Sequence, residues 1–520
     1  MSIVKAKDVK LKVLPVVTAC EHKYYYEGPC RFGKGEALEP GYDALANAHR
    51  AKAHVDAIKS IAPEGIEIMD KITITRTDDW DNKEAEWENA AAAAREADVV
   101  VISTSIAADD LAIEFVQRFE KPTIISPDSH ASYTAVPAAL HSCPGCTGKE
   151  YEVYSFLDWD QVGYMLKILR ARKVIQTTRI LCVTRFGSTT SYSSVDSFIN
   201  YDLITRKLGT RFRFINIHEL LDQMSPAVEG GNPTTPGRKT LDLTDEDIAE
   251  ANRIADELES GASANSLSRD MLLKSIIAYV TVRKNMDDKD CCGFTAPCPD
   301  VCSTRRLNEM QFTFCLTHSL NLEQGIPSCC EYDVSAVLSM QALIAVSGKC
   351  PYTGNTLPLK YYESEAGTMV WALGSTPEQV AKLKKMEQGN MYLMQHSIAH
   401  RRIHDESKDS VYRLIHFAHD QKFGANIRYD FDADSGRDMT LCRFSPDGSK
   451  LFIAPAEVLL GDGYDVPNCA QVLYFRVKDV NDFYQKQCLA GNHVPMVIGS
   501  YVKELIDLAK SLGVEPVVAD

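Results

Sequence analysis

Hydrophobic positions in the first part of the chain alternate between two kinds of pattern. Short apolar runs predict β-strands at 11–18, 66–74, 98–103 and 122–125. The segments between them repeat apolar residues at helical spacing, at 44–61, 86–97 and 111–119. Strands that alternate with helices predict a parallel sheet covered on both faces. We therefore expect an N-terminal α/β domain over residues 1–172.

The same alternation starts again near residue 173. Strands are predicted at 179–183 and 212–217. Helices are predicted at 159–171, 195–208, 245–258, 269–284, 307–320 and 334–346. Gly209 is a signal for the end of one helix, and Thr244 with Asp247 resembles a capping box at the start of another. These patterns predict a second α/β domain over residues 173–355.

Beyond residue 356 the pattern changes to short strands joined by turns. The predicted strands are 427–431, 439–444, 450–455 and 471–477. Pro446-Asp447-Gly448 is typical of a hairpin turn. A closing helix over 497–512 and a final strand over 515–518 are also predicted. We expect residues 356–520 to form a β-rich domain, an antiparallel barrel or sandwich.

The composition of the 520-residue chain is that of a globular protein, with 45% hydrophobic and 24% charged residues. A net charge of −15 disfavours non-specific binding to nucleic acid or to anionic membranes. No run of apolar residues is long enough for a transmembrane helix, and the N-terminal residues do not resemble a signal peptide. The sequence thus predicts a cytoplasmic protein.

The 16 cysteines are too sparse for a disulfide scaffold, and we expect free thiols. Cys143 and Cys146 form a C-x-x-C in a predicted loop, whereas Cys298 and Cys302 have a different spacing. A zinc site built on one C-x-x-C needs two further ligands. An interaction module held together by zinc remains an alternative.

Two carboxylates lie where a short strand meets a helix, at Glu331 and Asp333. A carboxylate beside a helix N-terminus is held ionised by the helix dipole, which suits a metal ligand or a general base. The alternative is that Asp333 only caps the helix while Glu331 faces solvent.

Histidines provide further candidates for metal binding. His493 lies in a loop rich in Gly and Pro that is predicted to open the last helix, where it is either a metal ligand or a capping or packing residue. His396, His400 and His404 lie close together in the chain. If this segment is helical, His400 and His404 could bind a metal together; otherwise we interpret it as the wall of a polar pocket.

A loop rich in hydroxyl groups, residues 185–194, follows one strand and precedes a helix. Ligands bind at the carboxyl ends of strands in α/β sheets, so this loop suits a polyhydroxylated ligand or a phosphate. An ordinary solvated connection is the alternative. The chain has neither a Walker motif nor a strand–GxGxxG–helix unit.

Four segments together resemble one family: Glu331-Tyr332-Asp333 with the helix to Gly348, Gly491-Asn492-His493, the loop and helix over 187–209, and the strands over 436–458. They are similar to the L-fucose isomerase/L-arabinose isomerase superfamily, and within it to the fucose-isomerase-like proteins. The similarity is clear from about residue 150 onward.

The resemblance implies two α/β domains followed by a β-rich domain, a trimer or hexamer, and a divalent metal, most often Mn²⁺. It also implies an isomerase that interconverts an aldose and a ketose through an enediolate. Glu331 and Asp333 would be catalytic, and the metal ligands would be Glu331, Asn355 and His493. The residues expected to bind the sugar hydroxyls are Ser188, Thr189, Ser191, His396 and Asn492.

One position departs from the family pattern. Fucose isomerases have an Asp where this chain has Asn355. An amide oxygen can coordinate a metal, but it cannot act as a base. A metal-dependent epimerase or lyase, or a carbohydrate-binding protein without activity, therefore remain alternatives to the isomerase.

Overall fold

The computed structural model of the chain describes residues 3–23, 35–77, 83–105, 108–128, 134–184, 197–225, 241–298, 309–419 and 422–519. The chain divides into two compact units. One is Val9–Arg170, and the other combines Met1–Asp8 with Ala171–Asp520.

A parallel sheet of six strands forms the centre of the unit Val9–Arg170. Its strands are β1 (Leu11–Glu21), β2 (Ile66–Ile68), β3 (Ile72–Thr77), β4 (Val99–Thr104), β5 (Thr123–Ile125) and β6 (Val153–Ser155). Strand β1 pairs with β2, β3 and β4, and β5 and β6 follow β4. Every residue of β4 is buried, because helices cover both faces of such a sheet.

Two cores lie on the opposite faces of this sheet. The helices of the unit are α1 (Tyr42–Ile61), α2 (Lys83–Glu96), α3 (Asp109–Phe119), α4 (Ala135–Thr147) and the part of α5 (Trp159–Thr177) up to Arg170. Val100 and Ile102 pack with α2, α3 and α4, whereas Val99 and Val101 pack with α1 and α5. The predicted alternation of strand and helix is confirmed. The loop predicted around Cys143 is wrong, since α4 continues through Pro144.

The second unit contains a parallel sheet of four strands in the order β11-β10-β7-β8. The four strands are β7 (Arg179–Thr184), β8 (Arg211–Asn216), β10 (Gly293–Thr295) and β11 (Ser328–Cys329). A further short strand, β9 (Ala264–Asn265), belongs to a different sheet. The helices are α6 (Tyr201–Leu208), α7 (Ile217–Asp222), α8 (Asp245–Gly261), α9 (Arg269–Asp288), α10 (Cys315–Leu322) and α11 (Val334–Ser347). Left-handed Gly209 ends α6, and Thr244 forms a capping box with Asp247 at the start of α8. Both of these predictions are confirmed.

The remainder of this unit is rich in antiparallel β-structure. Its strands are β12 (Asn355–Pro358), β13 (Tyr361–Ser364), β14 (Gly367–Val370), β15 (Met391–Gln395), β16 (Tyr412–His416), β17 (Ala425–Tyr429), β18 (Asp438–Phe444), β19 (Lys450–Asp462), β20 (Val472–Arg476), β21 (Met496–Ile498) and β22 (Glu515–Val518). Its helices are α12 (Pro377–Lys385), α13 (Val480–Gln487) and α14 (Val502–Ser511).

The largest sheet has the strand order β12-β15-β20-β19-β18-β21, all antiparallel, and β22 joins β19 in parallel. Strands β13 and β14 form a hairpin. Strand β9 pairs in parallel with β16, which pairs with β17 on its other side, so a segment of the predicted middle domain completes a sheet of the C-terminal region. The three predicted domain ranges stay a prediction.

The mixed α/β class, with two parallel sheets and an antiparallel β-rich region, is confirmed. No closed barrel is found among the described strands. Two isolated bridges, between Tyr352 and Met496 and between Asn355 and His493, link the chain near β12 to the chain near β21. The closing helix begins at Val502 rather than at residue 497, since 496–498 form a strand. No helix within the described ranges is long and apolar enough to cross a membrane.

Candidate metal centre

Glu331 lies on a sharp turn between strand β11 and helix α11. Both Glu331 and Tyr332 have left-handed backbone angles, with φ of 61° and 60°. Such a conformation costs an L-residue about 1–2 kcal/mol, so the surrounding structure must hold it. The Tyr332 N–H donates to Ala296 O at 2.9 Å. Asp333 then caps α11 by accepting the Ala336 N–H at 2.8 Å.

Two distant histidines meet the Glu331 carboxylate. His493 Nε2 is 3.4 Å from Glu331 Oε2, and His396 Nε2 is 3.6 Å from Glu331 Oε1. The ligand atoms of all three residues lie within 4.8 Å of one another, and no other group of three or more His, Cys, Asp or Glu side chains in the described ranges is as close. Both histidine side chains are buried, whereas that of Glu331 is 17% exposed. Of the three side chains, only that of Glu331 is partly exposed to solvent.

The orientation of His493 is fixed by its second ring nitrogen. His493 Nδ1 lies 3.0 Å from Asp333 Oδ2. Because a carboxylate can only accept, Nδ1 carries the proton and Nε2 keeps its lone pair. A carboxylate behind a histidine is the usual arrangement in protein metal sites, where it orients the ring and raises its basicity.

Arg443 supports this Asp333–His493 pair from strand β18. Its buried guanidinium donates to Asp333 Oδ2 at 2.7 Å, to Asp333 Oδ1 at 3.2 Å and to His493 O at 2.6 Å. Burial raises the pKa of Asp333, but the charge of Arg443 and the hydrogen bond with His493 outweigh it and lower that pKa. Asp333 is thus an ionised carboxylate with both oxygens engaged.

Gly491 allows the chain to pass close to this guanidinium. Its φ is +129°, and a Cβ atom there would lie 2.7 Å from Arg443 Nε. That nitrogen donates to Ala490 O at 2.8 Å. A side chain at residue 491 would therefore displace the group that holds Asp333.

His396 has the opposite tautomer. Its Nδ1 accepts the Ser397 N–H at 2.9 Å, so the proton of the neutral ring lies on Nε2. This buried Nε2 makes no hydrogen bond within the described part of the chain, and Glu331 Oε1 lies 3.6 Å away. His396 is near enough to join a metal site, but its tautomer suits a hydrogen-bond donor.

The histidines keep Glu331 ionised. Burial raises the pKa of its carboxyl, yet the long polar contact from the His396 Nε2–H and the electrostatic effect of the His493 and His396 rings outweigh burial and lower the pKa to about 2. An ionised carboxylate beside an imidazole lone pair is a donor set that divalent cations such as Mn²⁺ and Zn²⁺ accept. The donor set fits a metal without identifying it.

Asn355 and Asn492 lie beside His493. Asn355 forms an antiparallel bridge with His493, and the Asn492 side-chain amide donates to Asn355 Oδ1. The oxygen expected to bind the metal therefore already accepts a hydrogen bond. The proposed roles of Asn355 and Asn492 stay predictions.

Other sequence candidates lie outside the cluster. The predicted sugar-binding residues Ser188, Thr189 and Ser191 lie outside the described residues. The segment with His400 and His404 is not helical, so the conditional metal pair does not form. His400 Nε2 instead lies 2.9 Å from Pro351 O, and His404 Nδ1 lies 2.7 Å from Asp434.

Arg443 is not among the site residues predicted from the sequence, although its position carries a signal. This arginine interrupts an apolar run, Leu441-Cys442-Arg443-Phe444, inside a predicted strand. A charged residue in a buried strand needs a partner, and the carboxylate of Asp333 is that partner.

Comparison with known proteins adds no assignment. No protein-family model matches the chain, and no curated protein matches its sequence.

Proposed function

We propose that the chain is a metal-dependent sugar isomerase that interconverts an aldose and a ketose through an enediolate. The observation that carries the proposal is the approach of His493 Nε2 to Glu331 Oε2, at 3.4 Å, by residues far apart in the sequence. The resemblance to fucose-isomerase-like proteins supplies the substrate class, the preference for Mn²⁺ and a trimer or hexamer.

Glu331 and His493 would hold the metal, and the position of Asn355 beside His493 makes it the next candidate ligand. When bound, a divalent ion polarises the sugar carbonyl and so acidifies the neighbouring C–H. Asp333 and Arg443 would keep the His493 ring in its metal-binding tautomer.

Glu331 is the residue best placed to carry the proton. It would take the proton from C2 of the aldose while the electrons of that C–H bond form the C1–C2 double bond of the enediolate. Delivery of the proton to C1 then gives the ketose. A carboxylate with a pKa of about 2 is a weak base, so the transfer requires an acidified C–H.

A second proton must move from O2 to O1 of the sugar to complete the reaction. His396 can assist, since its Nε2–H lies on the Oε1 side of Glu331 and has no other partner in the described ranges. Asp333 is less suited to carry protons, because its side chain is buried and its oxygens bind Arg443, His493 and the backbone of α11.

A hydrogen-exchange assay tests the proposal. The protein is incubated with Mn²⁺ and a panel of aldoses in deuterated water, and NMR follows deuterium at C2 and the appearance of ketose. We expect both with at least one sugar, with loss of both in Glu331→Gln. His400→Gln, which changes a buried histidine outside the cluster, is the matched control and should remain active.

Two results would contradict an isomerase. Exchange at C2 without ketose would indicate an epimerase or a lyase. Tight metal binding without exchange on any sugar would indicate a carbohydrate-binding protein.

A further inference from the structure

A cavity of about 700 Å³ lies in the second unit, and its walls are rich in charge. Helices α8 and α9 each contribute one face, the end of α10 closes one side, and Ile3, Lys5, Arg401 and Arg402 complete the lining. The basic residues around it are Lys5, Arg253, Arg283, Lys284, Arg401 and Arg402. The acidic residues are Asp247, Glu250, Glu257, Asp287 and Glu323.

Basic side chains from the same walls neutralise most of these acids. The ion pairs are Lys284 with Asp247 at 2.5 Å, Arg253 with Glu250 at 2.6 Å, Arg401 with Glu257 at 2.8 Å, and Arg401 with Glu323. Arg402 shares Asp409 with Arg401, its Nε lying 3.1 Å from the carboxylate.

Two cations remain without such a partner. Neither Lys5 nor Arg283 forms an ion pair with an acid in the described ranges, and the Nη1 atom of Arg283 is buried there without a hydrogen bond. Arg283 lies over the Tyr279 ring, with 5.9 Å between the guanidinium carbon and the ring centre. Its orphaned nitrogen thus belongs to a side chain that packing holds in position.

The two unpaired cations line the same cavity and influence each other electrostatically. The pKa of Lys5 is lowered, first by burial and then by the positive charge of Arg283, and Arg402 adds to the effect. Like charges that converge in a partly buried cavity repel each other, and an anion between them removes that repulsion. The rest of the molecule does not favour anions, because its net charge is −15.

We propose that this cavity binds an oxyanion of the phosphate class through Lys5 and Arg283. A guanidinium presents parallel N–H donors that match two oxygens of a phosphate, and lysine adds a compact charge. A phosphate carries between one and two negative charges at neutral pH, which suits two unpaired cations better than the single charge of a carboxylate. The ligand is either free phosphate or a phosphate monoester.

Calorimetric titration of the full chain with inorganic phosphate, at constant ionic strength in sodium chloride, tests the site. We expect saturable binding that Arg283→Met and Lys5→Met each weaken by roughly tenfold or more, the loss expected for one charge-assisted hydrogen bond. Methionine retains an unbranched apolar side chain of similar length and removes only the positive charge. The Lys5 change lies outside the helices and serves if Arg283→Met fails to fold.

The matched control is Arg253→Met. Arg253 lines the same cavity, but its charge is already paired with Glu250. We expect phosphate affinity to change by less than about twofold, since the loss of an exposed ion pair is a small effect. Titration with glycerol phosphate identifies the source of the phosphate group. Tighter binding of glycerol phosphate than of inorganic phosphate indicates a monoester ligand, and the reverse order indicates free phosphate.

Three results would overturn the proposal. In the first, the unmodified chain shows no saturable phosphate binding. In the second, acetate binds as tightly as phosphate. In the third, Arg253→Met and Arg283→Met lose the same phosphate affinity. None of these results depends on metal binding at Glu331 and His493.

Discussion

At the residue scale, one hydrogen bond to each ring distinguishes the two histidines beside Glu331. Asp333 accepts from Nδ1 of His493, whereas the backbone N–H of Ser397 donates to Nδ1 of His396. The first ring therefore presents a lone pair to Glu331 and the second presents a proton. The same residue type thus serves two functions within one cluster, a metal ligand and a hydrogen-bond donor.

Asp333→Asn tests the orienting role of this carboxylate. Asparagine can still cap helix α11 but cannot hold the charge of Arg443 or fix the His493 tautomer. We expect Mn²⁺ affinity to fall roughly 10–100-fold, and the free energy of unfolding to fall by about 3 kcal/mol. Metal titration and urea unfolding measure the two effects.

The chain offers a matched control at Asp434. This buried carboxylate also binds a histidine and an arginine, at 2.7 Å from His404 Nδ1 and 2.8 Å from Arg437. Asp434→Asn should lower stability but leave Mn²⁺ affinity unchanged. Equal losses of metal affinity in the two variants would contradict the assignment of Asp333.

Sequence alone could predict Glu331 and His493 as candidates but not their surroundings. The strand-to-helix junction that carries Glu331 is a local pattern, and the resemblance pointed to His493. The tautomers depend on Asp333, Arg443 and Ser397, which meet them only through tertiary packing. No spacing in the chain encodes those contacts.

At the element scale, the site depends on how chain segments end. Helix α11 begins at its Asp333 cap and ends at left-handed Gly348, and both limits were predictable from local signals. Strand β21 was not, because the apolar run 496–498 does not distinguish a short strand from the start of a helix. The bridge that brings Asn355 to His493, next to β21, was hidden for the same reason.

Gly491→Ala tests the close passage over Arg443, with Gly348→Ala as its control. Both glycines have positive φ, but a Cβ at Gly348 meets no atom within 4 Å. Gly348→Ala should cost about 1 kcal/mol of unfolding free energy, from backbone strain alone. Gly491→Ala should cost roughly 1–3 kcal/mol more from overpacking and should weaken Mn²⁺ binding. If both variants lose the same stability and keep Mn²⁺ affinity, Gly491 does not position Arg443.

At the scale of the whole molecule, residues from two kinds of sheet meet in one compact unit. Glu331 follows a strand of the parallel sheet, whereas His396 and His493 belong to the antiparallel region. The order of parallel and antiparallel regions was predictable from periodicity. Their joining through β9 was not, because this two-residue strand has no recognisable pattern.

The unit Val9–Arg170 contains a buried neutral histidine that makes its stability depend on pH. Burial lowers the pKa of His54 to about 4, although the hydrogen bond with Val101 O raises it in part. Between pH 6.5 and 4 the unfolded chain binds a proton that the native histidine excludes. Stability is therefore full above pH 6.5 and falls as the pH decreases toward 4.

His54→Gln should remove this dependence. When the pH falls from 7.5 to 5, protonation of His54 in the unfolded state should lower the unfolding free energy of the unmodified chain by about 2 kcal/mol. The corresponding loss in His54→Gln should be smaller by this amount. Fluorescence of Trp159, which contacts His54, follows the unfolding. His49→Gln changes an exposed histidine on the same helix and should leave the pH dependence as it is. An unchanged pH profile in His54→Gln would contradict this interpretation.

Pulsed electron paramagnetic resonance of the chain with Mn²⁺ tests most directly whether Glu331 and His493 bind one ion together. This measurement resolves the nuclear spin of a nitrogen bound to the metal. We expect one tightly bound Mn²⁺ per chain, coupled to one imidazole nitrogen. The coupling should disappear in His493→Gln and persist in His396→Gln. The absence of tight binding, or a coupling that survives His493→Gln, would contradict this expectation.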